Sequence, residues 1–182
     1  MKEIKSYPKI FTIGSLYIPD LFKSEVLVEE KVDGSQFSFG INGDREIVMR
    51  SKGAKIEVAN PPKMFQHAVD YVNSIADILL GQEKEVYFYC EYLSGPSHNM
   101  LKYNRIPKNH LVLFGMSFGD RLEPDRPTLE SWAQKLDIDV IPLLFSGKVN
   151  DYKEIEKFLE TESYLGGPKT EGVVIKNYTD LV

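Results

Sequence analysis

A chain of 182 residues, 42% hydrophobic and 12% aromatic, is long enough to bury one substantial core and short for two independent ones. Neither end reads as a signal peptide and no apolar run approaches the length of a bilayer span, which points to a cytoplasmic protein without a membrane partner. A single cysteine, Cys90, excludes an internal disulfide framework; the formal net charge of -5 lacks the basic excess of most phosphate-binding chains, though an acidic whole can contain a basic cleft and metal-holding carboxylates.

In chain order, Val26 to Glu30 reads as a strand, followed by Phe37 to Ile41, where Phe37, Phe39 and Ile41 alternate with Gln36, Ser38 and Gly40. Asn42-Gly43 then predicts a tight turn returning through Ile47, Val48 and Met49 as a hairpin, so that Lys31 to Gly34 lies in a turn between strands. After Asn60-Pro61-Pro62, the spacing of Phe65, Ala68, Val69, Val72, Ile75, Ile78 and Leu79 predicts one helix ended by Gly81. Val86 to Leu93 and Leu111 to Phe118 have strand composition and are separated by a loop rich in Gly, Pro, Ser and Asn. Thr128 to Leu136 and Asp151 to Leu159 read as shorter helices, the second capped by Asn150. Gly166-Gly167-Pro168 precedes a last strand, Gly172 to Lys176. Antiparallel-looking strands punctuated by helices, without regular strand-helix alternation, indicate a single α+β domain rather than a doubly wound sheet.

Several positions carry chemistry. Lys31-Val32-Asp33-Gly34 sets an amine at the mouth of a turn, before a carboxylate and a residue without a side chain; it reads either as an ordinary charged turn or as a nucleophile beside a close-approach glycine. A lysine that attacks phosphorus must be neutral, through desolvation or neighbouring positive charge. In Glu171-Gly172-Val173-Val174-Ile175-Lys176 a lysine closes an apolar strand; either it is solvated at a sheet edge, or Glu171 and Lys176 flank one cleft, suited to metal or water and to phosphate oxygens respectively. Glu91 interrupts a strand that should be buried, so it requires an ion-pair partner, a metal-bound water or a bound hydroxyl. Phe114 is either core or a stacking platform for a base. Arg50 and Lys52 end the hairpin as surface charges or anion contacts. His67, His98 and His110 are too scattered for a metal triad, and Cys90 reads as a small buried hydrophobe. Tyr87, Tyr89, Tyr92 and Tyr103 read as core or rim, with a nucleic-acid surface as the other reading.

In this order the segments resemble the covalent nucleotidyltransferase superfamily of DNA ligases, RNA ligases and mRNA capping enzymes. Lys31-x-Asp33-Gly34 resembles its first motif, Arg50-Ser51-Lys52-Gly53 the next, Glu91 the third, Phe114 the base-stacking position and Glu171-Gly172-x-Val174-x-Lys176 the fourth. Glu91-Tyr92-Leu93-Ser94-Gly95-Pro96 is similar to the corresponding stretch of the RNA ligase 2 family. The resemblance implies an antiparallel-sheet nucleotidyltransferase domain in which Lys31 becomes adenylylated by ATP, AMP passes to a 5′-phosphate end, and a 3′-hydroxyl seals the strand. The implied ends are RNA in preference to DNA. It implies Mg2+ or Mn2+ as cofactor, near Glu171 and, through water, Glu91. It further implies phosphate contacts from Arg50 and Lys176, a ribose or metal-water contact from Glu91, adenine stacking on Phe114, backbone-level adenine contacts at Glu30 and Val32, and an orienting role for Asp33 beside Gly34. A GTP-using capping guanylyltransferase and a non-catalytic nucleotide- or strand-end-binding module are the competing readings. The resemblance also implies a later motif with paired lysines and, in many ligases, an accessory domain; residues 1–182 contain neither and are expected to be a truncated adenylation domain.

Overall fold

The computed structural model describes residues 3–180; the expected chain end at Val182 lies outside them. Two sheets organise the molecule. The larger contains β2 (Ser35–Ile41), β3 (Ile47–Ser51), β4 (Val86–Tyr92), β5 (Leu111–Phe118), β6 (Arg121–Leu122) and β7 (Asp139–Val140), in the order β3-β2-β4-β5-β6 with β7 parallel on β5. The smaller is antiparallel, with β1 (Val26–Lys31) between β8 (Leu143–Gly147) and β9 (Gly172–Lys176).

Alternation, interrupted once in β5, gives the larger sheet its two faces. Phe37, Phe39, Ile41, Met49, Phe88, Cys90, Tyr92, Leu111, Leu113 and Met116 are buried with Ala68, Val69 and Val72 of α1 (Gln66–Ser74) and Leu129, Ala133 and Leu136 of α3 (Arg126–Leu136). Fully burying each large apolar side chain contributes about 1.5–3 kcal/mol before ordering costs, so this layer supplies most of the cohesion. The opposite face carries Ser38, Arg50, Tyr89 and Glu91, and it borders the smaller sheet. There, Val26, Val28, Val173 and Ile175 pack with Val149 and Ile155 on the outer side. Lys31, Glu29, Val174 and Lys176 therefore share the inner side, because side chains alternate along a strand.

Local details depart from the sequence expectations. The hairpin loop is longer than a two-residue Asn-Gly turn: Ile41 pairs with Ile47, the Asn42 side chain accepts from the N–H groups of Asp44 and Glu46 at 3.1 and 2.8 Å, and Arg45 takes the left-handed conformation. The amide of Asn42 thus replaces the turn geometry assigned to Gly43. The long helix after Pro62 is broken at Ile75 into α1 and α2 (Ala76–Leu80); the Ser74 hydroxyl donates back to the Tyr71 carbonyl at 2.6 Å, a bond that bends helices. The Asp151–Leu159 helix is two 3-10 turns, Tyr152–Glu154 and Glu156–Glu160, capped by Asp151 rather than Asn150. Ile155 and Phe158, three apart, both pack with the smaller sheet, which suits a three-residue turn better than an α-helical one. α3 begins at Arg126, where Asp125 accepts from the Thr128 N–H at 3.0 Å and Pro127 occupies the first turn. Among the described residues no helix is long and apolar enough to cross a membrane.

Candidate active site

β1 ends at Lys31 and β2 begins at Ser35, so only Val32, Asp33 and Gly34 carry the chain from one sheet to the other. Lys31 stands at that junction. Its amine is hydrogen-bonded to the Glu171 carboxylate, brought alongside because Lys31 pairs with Gly172 in the β1–β9 register. Gly34 donates its N–H to Glu91 Oε1 at 3.2 Å. A Cβ at position 34 would lie 2.6 Å from the Tyr92 carbonyl oxygen and 2.9 Å from Glu91 Cγ, so the close approach of turn and β4 requires glycine. The Asp33 carboxylate accepts the N–H groups of Met100 and Leu101, each at 2.8 Å.

Lys31, Asp33, Gly34, Glu91 and Glu171 are therefore assembled as one group. Burial pushes the Glu91 carboxyl up to about 7; the Gly34 N–H and Lys31 oppose this, while Glu171 and Asp33 add to it. A buried carboxyl raised toward neutrality, with an amine and a second carboxylate in its electrostatic surroundings, marks this group as a candidate functional site. Val32 is buried with Leu93, Tyr103, Val112 and Ile141, against which Phe114 packs, forming an apolar wall next to the lysine. The Glu30 side chain turns the other way. It accepts from the Ser163 hydroxyl and the Tyr164 N–H, and burial raises its pKa, so only its backbone remains for a ligand.

The second half of the expected constellation is arranged differently. Lys176 is buried, not solvated and not open beside Glu171: its amine bonds the Phe114 carbonyl and lies 2.6 Å from Glu29 Oε2. Glu29 in turn receives Arg126 at 3.1 Å. The β4–β5 register explains the carbonyl. Tyr89 pairs with Gly115 and Cys90 with Leu113, so Phe114 is the extra residue of a β-bulge, with no partner across the ladder. Arg50 is likewise directed elsewhere, donating to the Ile4 carbonyl at 3.1 Å and the Ser6 hydroxyl at 2.8 Å. Those contacts hold the N-terminal segment over the inner face, where the Tyr7 ring meets Phe114 edge-on at 5.0 Å.

Glu29, His98 and Asn99 were not singled out from sequence as site residues, and Tyr103 was read as core or rim. Glu29 sits in an otherwise apolar strand, a placement that by itself signals a buried pair. The other three come from the irregular stretch after β4, where no periodicity marks a contact; Tyr103 accepts the Asp33 N–H at 2.9 Å and Asn99 donates to the Gly34 carbonyl at 2.7 Å.

A lysine bonded to one carboxylate, with a second carboxylate bonded to the turn that follows it, at the meeting of two mainly antiparallel sheets and beside an apolar wall, is the arrangement expected of a nucleotidyltransferase domain. The RNA ligase family model matches residues 24–181, and the chain belongs to that family. Among curated proteins no sequence matches. Among solved structures the fold is similar to Naegleria gruberi RNA ligase with PPi, at TM-score 0.70 and 15% identity over 96% of this chain and 55% of that one. A point variant of that ligase with ATP and Mn gives TM-score 0.72 and 18% identity over 94% and 52% of the two chains. Another, with AMP and Mn, gives 0.69 and 16% over 86% and 47%. The chain thus spans about half the length of the ligases it matches.

Proposed function

We propose that this chain is the adenylyltransferase part of an ATP-dependent RNA ligase, with Lys31 as the nucleophile. The observation that carries the reading is the placement of Lys31 at the sheet junction, bonded to Glu171 and next to a Glu91 that titrates near neutrality. The family match supports ligation over capping guanylyl transfer, and the ATP, AMP and Mn in the similar Naegleria ligase structures support the nucleotide.

In the first step Lys31 Nζ, having given up a proton to solvent water, attacks the α-phosphorus of ATP. A nitrogen–phosphorus bond forms, the bond from the α-phosphorus to the bridging oxygen breaks, and pyrophosphate leaves. AMP then passes to the 5′-phosphate of an RNA end, and a 3′-hydroxyl displaces it to close the strand. Adenine packs on the wall of Val32 and Phe114, with backbone contacts at Glu30 and Val32. Arg50 and Lys176 contact phosphates once released from Ile4, Ser6, Phe114 and Glu29.

Glu91 and Glu171 fit a divalent ion such as Mg2+ or Mn2+. Among the described residues no cluster of three or more ligand side chains exists; an ion held by one or two carboxylates and completed by substrate phosphates needs no such cluster. Bound there, it would neutralise phosphate charge and oppose protonation of the amine. The protein's own part is to orient Lys31 through Glu171 and to hold the turn through Glu91.

Incubation with magnesium and α-labelled ATP should leave an adduct that withstands alkali and is released by acid, as a phosphorus–nitrogen bond is. Lys31→Ala should abolish it; labelling of that variant to the parent level sinks the reading. Parallel labelling with GTP distinguishes a capping enzyme, and nicked RNA against nicked DNA decides the strand.

A further inference from the structure

The turn that follows Lys31 is held from outside by one stretch of chain, residues 91–103. Glu91 accepts the Gly34 N–H, Tyr103 the Asp33 N–H, and Asn99 donates to the Gly34 carbonyl. The Asp33 carboxylate takes the N–H groups of Met100 and Leu101. The stretch is closed on itself by His98: its Nδ1 accepts the Ser94 N–H at 3.0 Å, and its Nε2 lies 2.9 Å from the Ser35 hydroxyl. Because Nδ1 accepts a backbone N–H, the imidazole proton is assigned to Nε2, which donates to Ser35. The Tyr92 ring meets the imidazole edge-on at 5.7 Å.

Residues 91–103 make no such contact with the Lys31 amine in the bonds above. That amine is bonded to Glu171, and Lys31 ends a strand whose next three residues are a turn. The direction of its side chain is set on one side by the β1–β9 pairing with Gly172 and the Glu171 carboxylate, and on the other by the backbone of Val32–Gly34. Backbone there has hydrogen bonds to residues 91–103 and, within the turn, Gly34 N–H to the Val32 carbonyl at 3.2 Å. A turn with so little internal bonding takes its shape from the loop that grips it.

We infer that His98 and Asn99 are positioning residues for Lys31: they lock residues 94–101 onto the turn and thereby hold the amine in line for attack. This deepens the adenylyltransferase reading and rests on it. A positioning role has a specific kinetic consequence. Loosening the turn should slow the chemical step once ATP is bound more than it weakens ATP binding, because Val32 is the one turn residue among the nucleotide contacts, while Phe114, Glu30 and the phosphate contacts lie outside it.

The test is single-turnover formation of lysyl-AMP by the parent, His98→Leu, Asn99→Ala and His98→Gln, with the thermal midpoint of each. His98→Leu and Asn99→Ala should lower the rate constant at saturating ATP roughly tenfold or more, since small misplacements carry such penalties, while the half-saturating ATP concentration moves less than about twofold. His98→Gln, whose amide can still donate to Ser35, should recover most of the rate. Unchanged rates in folded variants overturn the inference. So does a change confined to half-saturation, or a loss that glutamine does not restore and that tracks a lowered midpoint. A parent that forms no adduct at all defeats the adenylyltransferase reading instead. In that case amide hydrogen exchange decides the clamp: faster exchange at Asp33 and Gly34 in His98→Leu supports it, and unchanged exchange overturns it.

Discussion

Glu91 is the residue at which burial, charge and chemistry meet. Its carboxyl ordinarily titrates at 4.5 and is raised to about 7, first by burial. Folding therefore opposes its ionisation: the stability it leaves intact is fully present below pH 4.5 and is lost as the pH rises through about 7. Glu91→Gln keeps an oxygen to accept the Gly34 N–H and removes the charge. Without nucleotide, the variant should be more stable than the parent at pH 8 by about 1–3 kcal/mol and indistinguishable near pH 4, as read by urea denaturation at both. Adenylylation should fall in the same variant, a stability gained at the site's expense. Gly34→Ala tests the opposite kind of constraint. With the Tyr92 carbonyl oxygen 2.6 Å from the new methyl, turn or strand must move, at a cost of about 1–3 kcal/mol and with loss of adduct formation. Both residues were legible in the sequence because their identities are unusual for their surroundings: an acid in an apolar strand, and a glycine after Lys31-x-Asp33. His98 and Asn99 were not, since a polar residue in a polar loop looks the same whether or not it grips a turn.

At the scale of elements, the Phe114 bulge and the Lys176 end of β9 form one device. The bulge frees a carbonyl, Lys176 takes it, and Glu29 with Arg126 balances the buried ammonium. Lys176→Met should cost about 3 kcal/mol, because it leaves the Glu29 carboxylate buried with Arg126 as its remaining cation. The double variant Glu29→Gln with Lys176→Met should recover a substantial part of that loss, because neither residue then carries an uncompensated charge. Additive losses would mean that the two side chains do not share one network. The same device limits what periodicity reveals. Alternation located β2 and placed Lys176 on the correct face of β9, whereas β4 and β5, buried at nearly every residue, were marked by aromatic and β-branched composition instead. Alternation could not reveal that Lys176 meets Glu29, which depends on β1 and β9 pairing Leu27 with Lys176 across most of the chain's length. β8 was missed for a related reason: Leu143–Gly147 is half-buried except for the exposed Ser146 and follows Pro142, so neither alternation nor a continuous apolar run marks it. The 3-10 turns over 152–160 were read as a helix because their apolar spacing is compatible with either period.

Across the whole molecule, the covalent link between the two sheets at the site is three residues long, which leaves their relative placement to other contacts. The N-terminal segment supplies many of them. At one end Arg50 and Tyr89 of the larger sheet hold the backbone of Ile4 and Lys5. At the other, Asn177, just past β9 of the smaller sheet, donates to the Leu21 carbonyl at 2.9 Å and accepts from Ser24. Between those anchors Tyr7 packs on Tyr89 at 5.2 Å and Phe114 at 5.0 Å, lies over Gly115, and has Lys176 5.8 Å from its ring centre. Burial pushes its hydroxyl up to about 12, and Tyr178, beyond β9, is its hydrogen-bond partner. Gly115 is where this matters most, because a Cβ there would come 2.7 Å from the Tyr7 ring. Tyr7 thus reaches both sheets, through Tyr89, Phe114 and Gly115 of the larger and Lys176 of the smaller. Removing the ring by Tyr7→Ala should lower stability by about 3 kcal/mol, the scale of an aromatic truncation in a packed layer, and should expose the segment to limited proteolysis after Lys5 and Lys9. If the segment were a peripheral appendage, neither the unfolding midpoint nor the cleavage rate would respond. A fall in both, with the loss appearing in a single cooperative transition, is the behaviour expected when a strap outside the strands holds the two walls of the cleft in register.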